Sequence, residues 1–194
     1  MDDLTNNINV YRRIVLNCMD SYRRCEENMK SCNSICMGDD GIQFSYELHE
    51  KMYELSTQII VFSTLAVEAF ANDFLVSNLE KKDFEMLDKL DIKGKILIGT
   101  KLVTQKDFPT DRESYSKLLK LISVRNKLVH AKPYAAYSDS SKIYFRIDKK
   151  EVEDAIETFE LIVKEISNLK PELNLIKNYL TPDEKLRTWY YLHA

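Results

Sequence analysis

Three residues that could do chemistry fall within six positions of one another: Arg125, Asn126 and His130, in the stretch RNKLVHAKP, 125–133. Histidine is the side chain that both takes and gives a proton near neutral pH. Arginine stays charged and grips phosphate with a planar fork. Such a set suits proton transfer beside an anionic group. The stretch also lies in a basic segment. From Lys93 to Lys132 ten Lys/Arg stand against three Asp/Glu, a local +7 in a chain of net charge −3. That excess fits a solvated basic face or a site for a phosphate-rich ligand. A solvated helix end and a buried structural knot are the competing readings of the three polar residues themselves.

The elements that must position them are helices. Hydrophobic residues make up 44% of 194 positions, enough for one domain with a real core and short for two. Four Gly and four Pro in the whole chain leave room for long helices with few turns. Leu4, Ile8, Tyr11, Val15, Cys18, Tyr22, Cys25, Met29, Cys32 and Cys36 recur at alternating steps of four and three. This predicts one long helix over about 5–36 with a packed seam, facing the next helix or a partner chain. The four cysteines sit on that seam. Cys18 and Cys36 would stand roughly 27 Å apart on one helix, so the set reads as small apolar residues and no metal site is expected.

After the turn GDDG, a second long helix is expected over about 43–79, antiparallel to the first. It carries one stripe from Leu48 to Ala69 and another from Ile60 to Phe74, which places its second half in the core. One polar line, Thr64, Glu68 and Asn72, runs along the same helix. Short helices follow at KKDFEMLDKL and DIKGKILIGTKLVTQ. Another runs from about 111 to 130 and is stopped by Pro133. KIYFRI alternates like an extended stretch. The next helix opens at Asp148 with Glu151 three residues on, a capping box. Thr181-Pro182 opens a further short helix, whose Trp189, Tyr190 and Tyr191 would dock. The acidic, polar start MDDLTNN shows no secretory signal, and polar residues break the most apolar window, so a cytoplasmic protein outside the membrane is expected.

On the motif helix, Tyr115, Leu118, Leu119 and Ile122 form a stripe. Continued by three or four, it reaches Arg125 and Asn126, then Val129 and His130. A second row, Leu121, Val124 and Leu128, lies on a neighbouring face. On the first stripe the polar residues would be covered, by this chain or by another, and a covered arginine needs a partner. Glu68, with Asn72 one turn on, is the expected one.

RNKLVH resembles the Arg-x(4–6)-His signature of the HEPN superfamily, with a polar residue directly after the arginine. EAFAN on the preceding long helix, and the run from GKILIGTKL to RNKLVHAKP, are similar to the prokaryotic ribonuclease-LS and RiboL-PSP-like HEPN proteins. The likeness covers roughly 43–133. The helical pattern predicts an all-α helical bundle with two long N-terminal antiparallel helices, and the resemblance fits its setting of the RNxxxH motif at the end of an internal helix. Within a single domain 1–194, the heptad helix and turn take 1–41, the motif-bearing core 42–133 and the C-terminal helices 148–194.

The function implied is a metal-independent endoribonuclease with no cofactor, leaving 2′,3′-cyclic phosphate and 5′-hydroxyl ends, in a toxin or phage-defence setting. His130 would exchange protons with the ribose 2′-OH or the leaving 5′-oxygen. Arg125 would hold the scissile phosphate, and Asn126 would orient the phosphate or the histidine. Glu68 and Asn72 would support them, and Lys120, Lys127 and Lys132 would contact RNA. Five residues turn a helix by ~140° and advance it ~7.5 Å, so one helix does not present Arg125 and His130 side by side. A two-fold axis near the helix end would join two copies into a shared cleft. The expected partners are a second copy, an RNA substrate, and an antitoxin or regulatory protein. Two alternatives stand beside this reading. One is a non-catalytic HEPN-like dimer that binds RNA, a nucleotide or a protein. The other is a structural helical protein with a buried Arg125–Glu68 pair.

Overall fold

The computed structural model describes residues 2–35, 39–130 and 147–180, with side chains placed within 7–31, 47–130 and 147–180. The chain is all-α, as expected, with no strand among the described residues. Its helices are α1 (Asp2–Ile35), α2 (Asp39–Asn78), α3 (Lys81–Leu87), α4 (Ile92–Thr104), α5 (Glu113–Val129) and α6 (Lys149–Leu169). A 3-10 turn (Pro171–Leu173) and a π-helical turn (Ile176–Leu180) follow. KIYFRI apart from Ile147, Lys132, and the expected helix start at Thr181 with its aromatic cluster lie outside the described residues.

The α1 seam faces α2 of the same chain. Tyr11 stacks near Phe62 at 6.0 Å between ring centroids, and the Cys18 thiol donates to Gln58 Oε1 at 3.1 Å. Advancing along α1 thus means retreating along α2, so the pair is antiparallel. Ile8, Val15, Cys18, Met19 and Tyr22 are buried there. Burial pushes the Cys18 thiol pKa up, as befits a cysteine packed as an apolar residue.

Helix α2 is the core of the bundle. Ile59, Ile60, Val67, Phe70, Ala71, Phe74 and Leu75 are each no more than 1% exposed, because both of its predicted rows are used. It is the one described helix long and apolar enough to cross a membrane, yet 67% of that apolar window is buried inside the bundle. Helix α4 comes close to it because position 99 has no side chain. A Cβ on Gly99 would lie 2.4 Å from Leu75 Cδ2. Asp91 caps α4 by accepting from the Gly94 N–H at 2.7 Å.

The ends of α4 and α6 satisfy each other. Lys170 Nζ donates to the Val103 carbonyl at 3.0 Å, and Lys106 Nζ to the Leu169 carbonyl at 2.9 Å. The π-helical turn is anchored to α2 where the Tyr179 hydroxyl donates to Asp73 Oδ2 at 2.8 Å. Arg12 of α1 closes the same corner, donating to the Tyr179 carbonyl and lying 5.0 Å over the Phe159 ring.

Helix α5 runs antiparallel to α6 along a charged seam. Arg112 meets Glu165 at 2.8 Å, Lys117 meets Asp154 at 3.0 Å, and Lys120 meets Glu151 at 2.7 Å. Lys117 is the best-covered cation of the seam, its side chain 12% exposed, and it also reaches Glu113 and Glu157. Burial opposes its charge, but the hydrogen bonds it donates to Glu157, Glu113 and Asp154 outweigh that and hold its pKa above the ordinary lysine value. A folded-state value raised above the unfolded one stabilises the protein below about pH 10, and that contribution is lost as pH rises through the folded value. Lys117→Met should therefore lower stability at neutral pH by about 2 kcal/mol. It should also flatten the alkaline fall of the wild type. Urea unfolding between neutral pH and pH 11 measures both.

Candidate functional site

The motif occupies the last two turns of α5. Arg125 and Asn126 lie within the helix, and His130 caps it, its backbone N–H bonded to the Asn126 carbonyl at 2.9 Å. The helix pattern therefore carries through to His130, and the ~140° between Arg125 and His130 applies. Arg125 Nη1 donates to Asn126 Oδ1 at 3.0 Å, so the arginine fixes the amide beside it.

The inward face of α5 is the row expected to be secondary, joined by Leu118 of the first stripe. Ser114, Leu118, Leu121 and Val124 are buried and Leu128 is half-buried. The rest of the first stripe turns outward. Leu119 is 40% and Val129 50% exposed, and Tyr115 and Ile122 are half-buried. Arg125 sits half-buried at the boundary, while Asn126 and His130 are exposed. Among the described residues this chain thus leaves Asn126 uncovered and Arg125 covered only in part. Two apolar rows lay ~140° apart on this helix, and the surfaces of α2 and α6 select the one that packs.

The support expected from α2 goes elsewhere. No ion pair joins Arg125 to Glu68, which is half-buried and pairs with no cation among the described residues. Asn72 Oδ1 accepts from Lys95 Nζ at 2.8 Å. Lys95 is 4% exposed and pairs with Asp88 at 3.3 Å, so its charge has both a carbonyl and a carboxylate. Asn72 therefore belongs to a knot that holds α3 and α4 on α2. Its signal in the sequence is a lysine at an apolar-periodic position of α4.

Most of the basic segment is occupied as well. Lys95, Lys101, Lys106, Arg112, Lys117 and Lys120 each meet a carboxylate or a carbonyl of this chain. Lys120, expected to contact RNA, pairs with Glu151, and this raises its pKa. Lys127 is exposed and has an interaction of its own within the chain. Sequence reasoning placed the charge surplus correctly but not its acidic counterpart on α6.

No group of three His, Cys, Asp or Glu that could hold a metal occurs among the described residues. No family model, curated protein or solved structure matches the chain. What the helix end presents to solvent is an anion-gripping arginine, an amide oriented by it, and an imidazole a turn on, beside the apolar surface of Leu119 and Val129.

A boundary arginine whose bond among the described residues is to its neighbour contributes little to folding. Arg125→Met should change stability by less than about 0.5 kcal/mol in urea unfolding. A loss of roughly 3–5 kcal/mol would instead indicate a buried ion pair.

Proposed function

We propose that the chain is a metal-independent endoribonuclease of the HEPN type, working as a homodimer whose cleft forms where two copies of the α5 end meet. The observation that carries the reading is the exposure of Asn126 and His130 beside a boundary Arg125, at the end of a helix whose other cations are largely paired internally. A structural polar cluster would have been covered. The exposed Leu119 and Val129 on the same side supply apolar surface for a second copy. The HEPN-like RNKLVH signature and EAFAN helix supply the chemistry.

In this reading a ribose 2′-oxygen attacks the adjacent phosphorus in line and the bond to the 5′-oxygen breaks. A His130 imidazole removes the 2′-OH proton, and an imidazolium returns a proton to the departing 5′-oxygen. Arg125 spreads its charge over the phosphate oxygens as negative charge builds. Asn126, held by Arg125, offers its amide N–H groups to the same phosphate. The 2′-OH is the nucleophile, so no metal-bound water is needed. The products are a 2′,3′-cyclic phosphate and a 5′-hydroxyl. A toxin or defence role, with an antitoxin or regulatory protein as partner, belongs to the same proposal.

The net charge of −3 and the paired lysines favour one second reading, a non-catalytic module that binds RNA, a nucleotide or a protein. One experiment separates the two. Single-stranded RNA incubated with purified protein in excess EDTA should be cut to cyclic-phosphate ends. Arg125→Ala and His130→Ala should each slow cutting by about 10²-fold or more. Tight binding without cutting by the wild type would support the binding module instead.

A further inference from the structure

The bridge between Lys120 and Glu151 does two jobs. Glu151 Oε1 meets Lys120 Nζ at 2.7 Å, and Glu151 Oε2 accepts the backbone N–H of Asp148 at 3.2 Å. One carboxylate thus closes the first turn of α6 and holds α5. Its side chain is 13% exposed, so it is fixed in the seam rather than free in solvent. Among the ion pairs that join α5 to α6 in the described residues, this one lies nearest the motif. Five residues, ~7.5 Å of helix, separate Lys120 from Arg125. The other pairs, at Lys117 and Arg112, lie progressively farther away. The groove of 430 Å³ between the two helices is lined in part by these paired charges, so its Lys117 and Lys120 face carboxylates.

We propose that Lys120 and Glu151 are positioning residues, whose bridge fixes the rotation of the last turns of α5 against α6 and so sets the direction in which Arg125, Asn126 and His130 are presented. Lys120 does not hold RNA itself. The proposal rests on the endoribonuclease reading for its consequence in catalysis, but the bridge's effect on the helix end is measurable without RNA.

The test uses three variants of the full chain. Lys120→Met removes the cation and Lys120→Arg keeps it. Glu151→Gln removes the charge while keeping an acceptor for the Asp148 N–H, since Gln serves in a capping box as Glu does. Amide hydrogen exchange of 125–129 in the free protein should speed up in Lys120→Met and Glu151→Gln and stay at the wild-type rate in Lys120→Arg. In cleavage, the first two should lose roughly ten-fold in kcat with KM unchanged, because a displacement near 1 Å at a catalytic group costs up to about 10²-fold. The slope of RNA affinity against salt should be the same in all four proteins.

Unchanged exchange in both Lys120→Met and Glu151→Gln would overturn the proposal. So would a Lys120→Met protein with raised KM and a salt slope reduced by about one while Glu151→Gln keeps wild-type binding, the pattern of a lysine on phosphate. If wild-type protein cuts no RNA, the endoribonuclease reading fails, and the exchange rates still decide whether the bridge sets the helix end.

Discussion

A helix buried on most of its sides has to be enclosed by its neighbours, and this constraint on α2 organises the molecule. With Phe70, Phe74, Leu75 and Val67 all at or below 1% exposure, α2 keeps only a half-buried line through Leu65, Glu68 and Asn72 toward solvent over its second half. The remaining helices therefore each take a face of it. The cost falls on its polar residues, most of which find partners where they stand, the Ser63 hydroxyl having none among the described residues. Asp73 finds the Tyr179 hydroxyl, Asn72 finds Lys95, and the Thr64 hydroxyl turns back to the Ile60 carbonyl at 2.8 Å. Tyr179 and Lys95 also draw in the elements that carry them, so Asp73 and Asn72 of α2 help to dock the C-terminal turn and α4.

The charge distribution then settles the rotation of α5. A segment of local +7 would repel itself if left bare, and α6 supplies Glu151, Asp154, Glu157 and Glu165 along the facing side. Lys117 and Lys120 point to α6, and Leu118, Leu121 and Val124 point to the core. What is left over on α5 is the side with Leu119, Asn126, Val129 and His130. A basic face for polyanions, one of the readings open from composition, is thus reduced: Arg112, Lys117 and Lys120 pair with carboxylates of α6, Lys106 bonds the Leu169 carbonyl, and Lys95 and Lys101 pair elsewhere in the chain. The exposed set is small, apolar at its flanks and polar at its end, which suits contact between two proteins around a small reactive centre.

Sequence and structure agree where one pattern had no competitor. The 3.5-residue period of α1 admitted only one seam, and Ile8, Val15, Cys18 and Tyr22 lie on it. The Asp148–Glu151 box likewise marked the start of α6 by purely local chemistry. The motif helix was different. It offered two apolar rows, and nothing within its own 17 residues says which one meets α2. The same gap left Glu68 as the apparent partner of Arg125, when the partner is the adjacent Asn126. The site residues were legible as residue types at a helix end. Their exposure was not, because exposure depends on the acidic side of α6, which is remote in sequence.

The central claim is that the reactive centre is built from two copies of the α5 end. Mixing Arg125→Ala protein with His130→Ala protein, after subunit exchange, tests it most directly. Each parent is expected to be inactive on single-stranded RNA. A mixed dimer keeps one intact Arg125 and one intact His130 on opposite copies, so a shared cleft predicts that cleavage reappears in the mixture. A mixture as inactive as its parents, beside a wild type that cuts, would contradict the shared centre and place the chemistry within one chain.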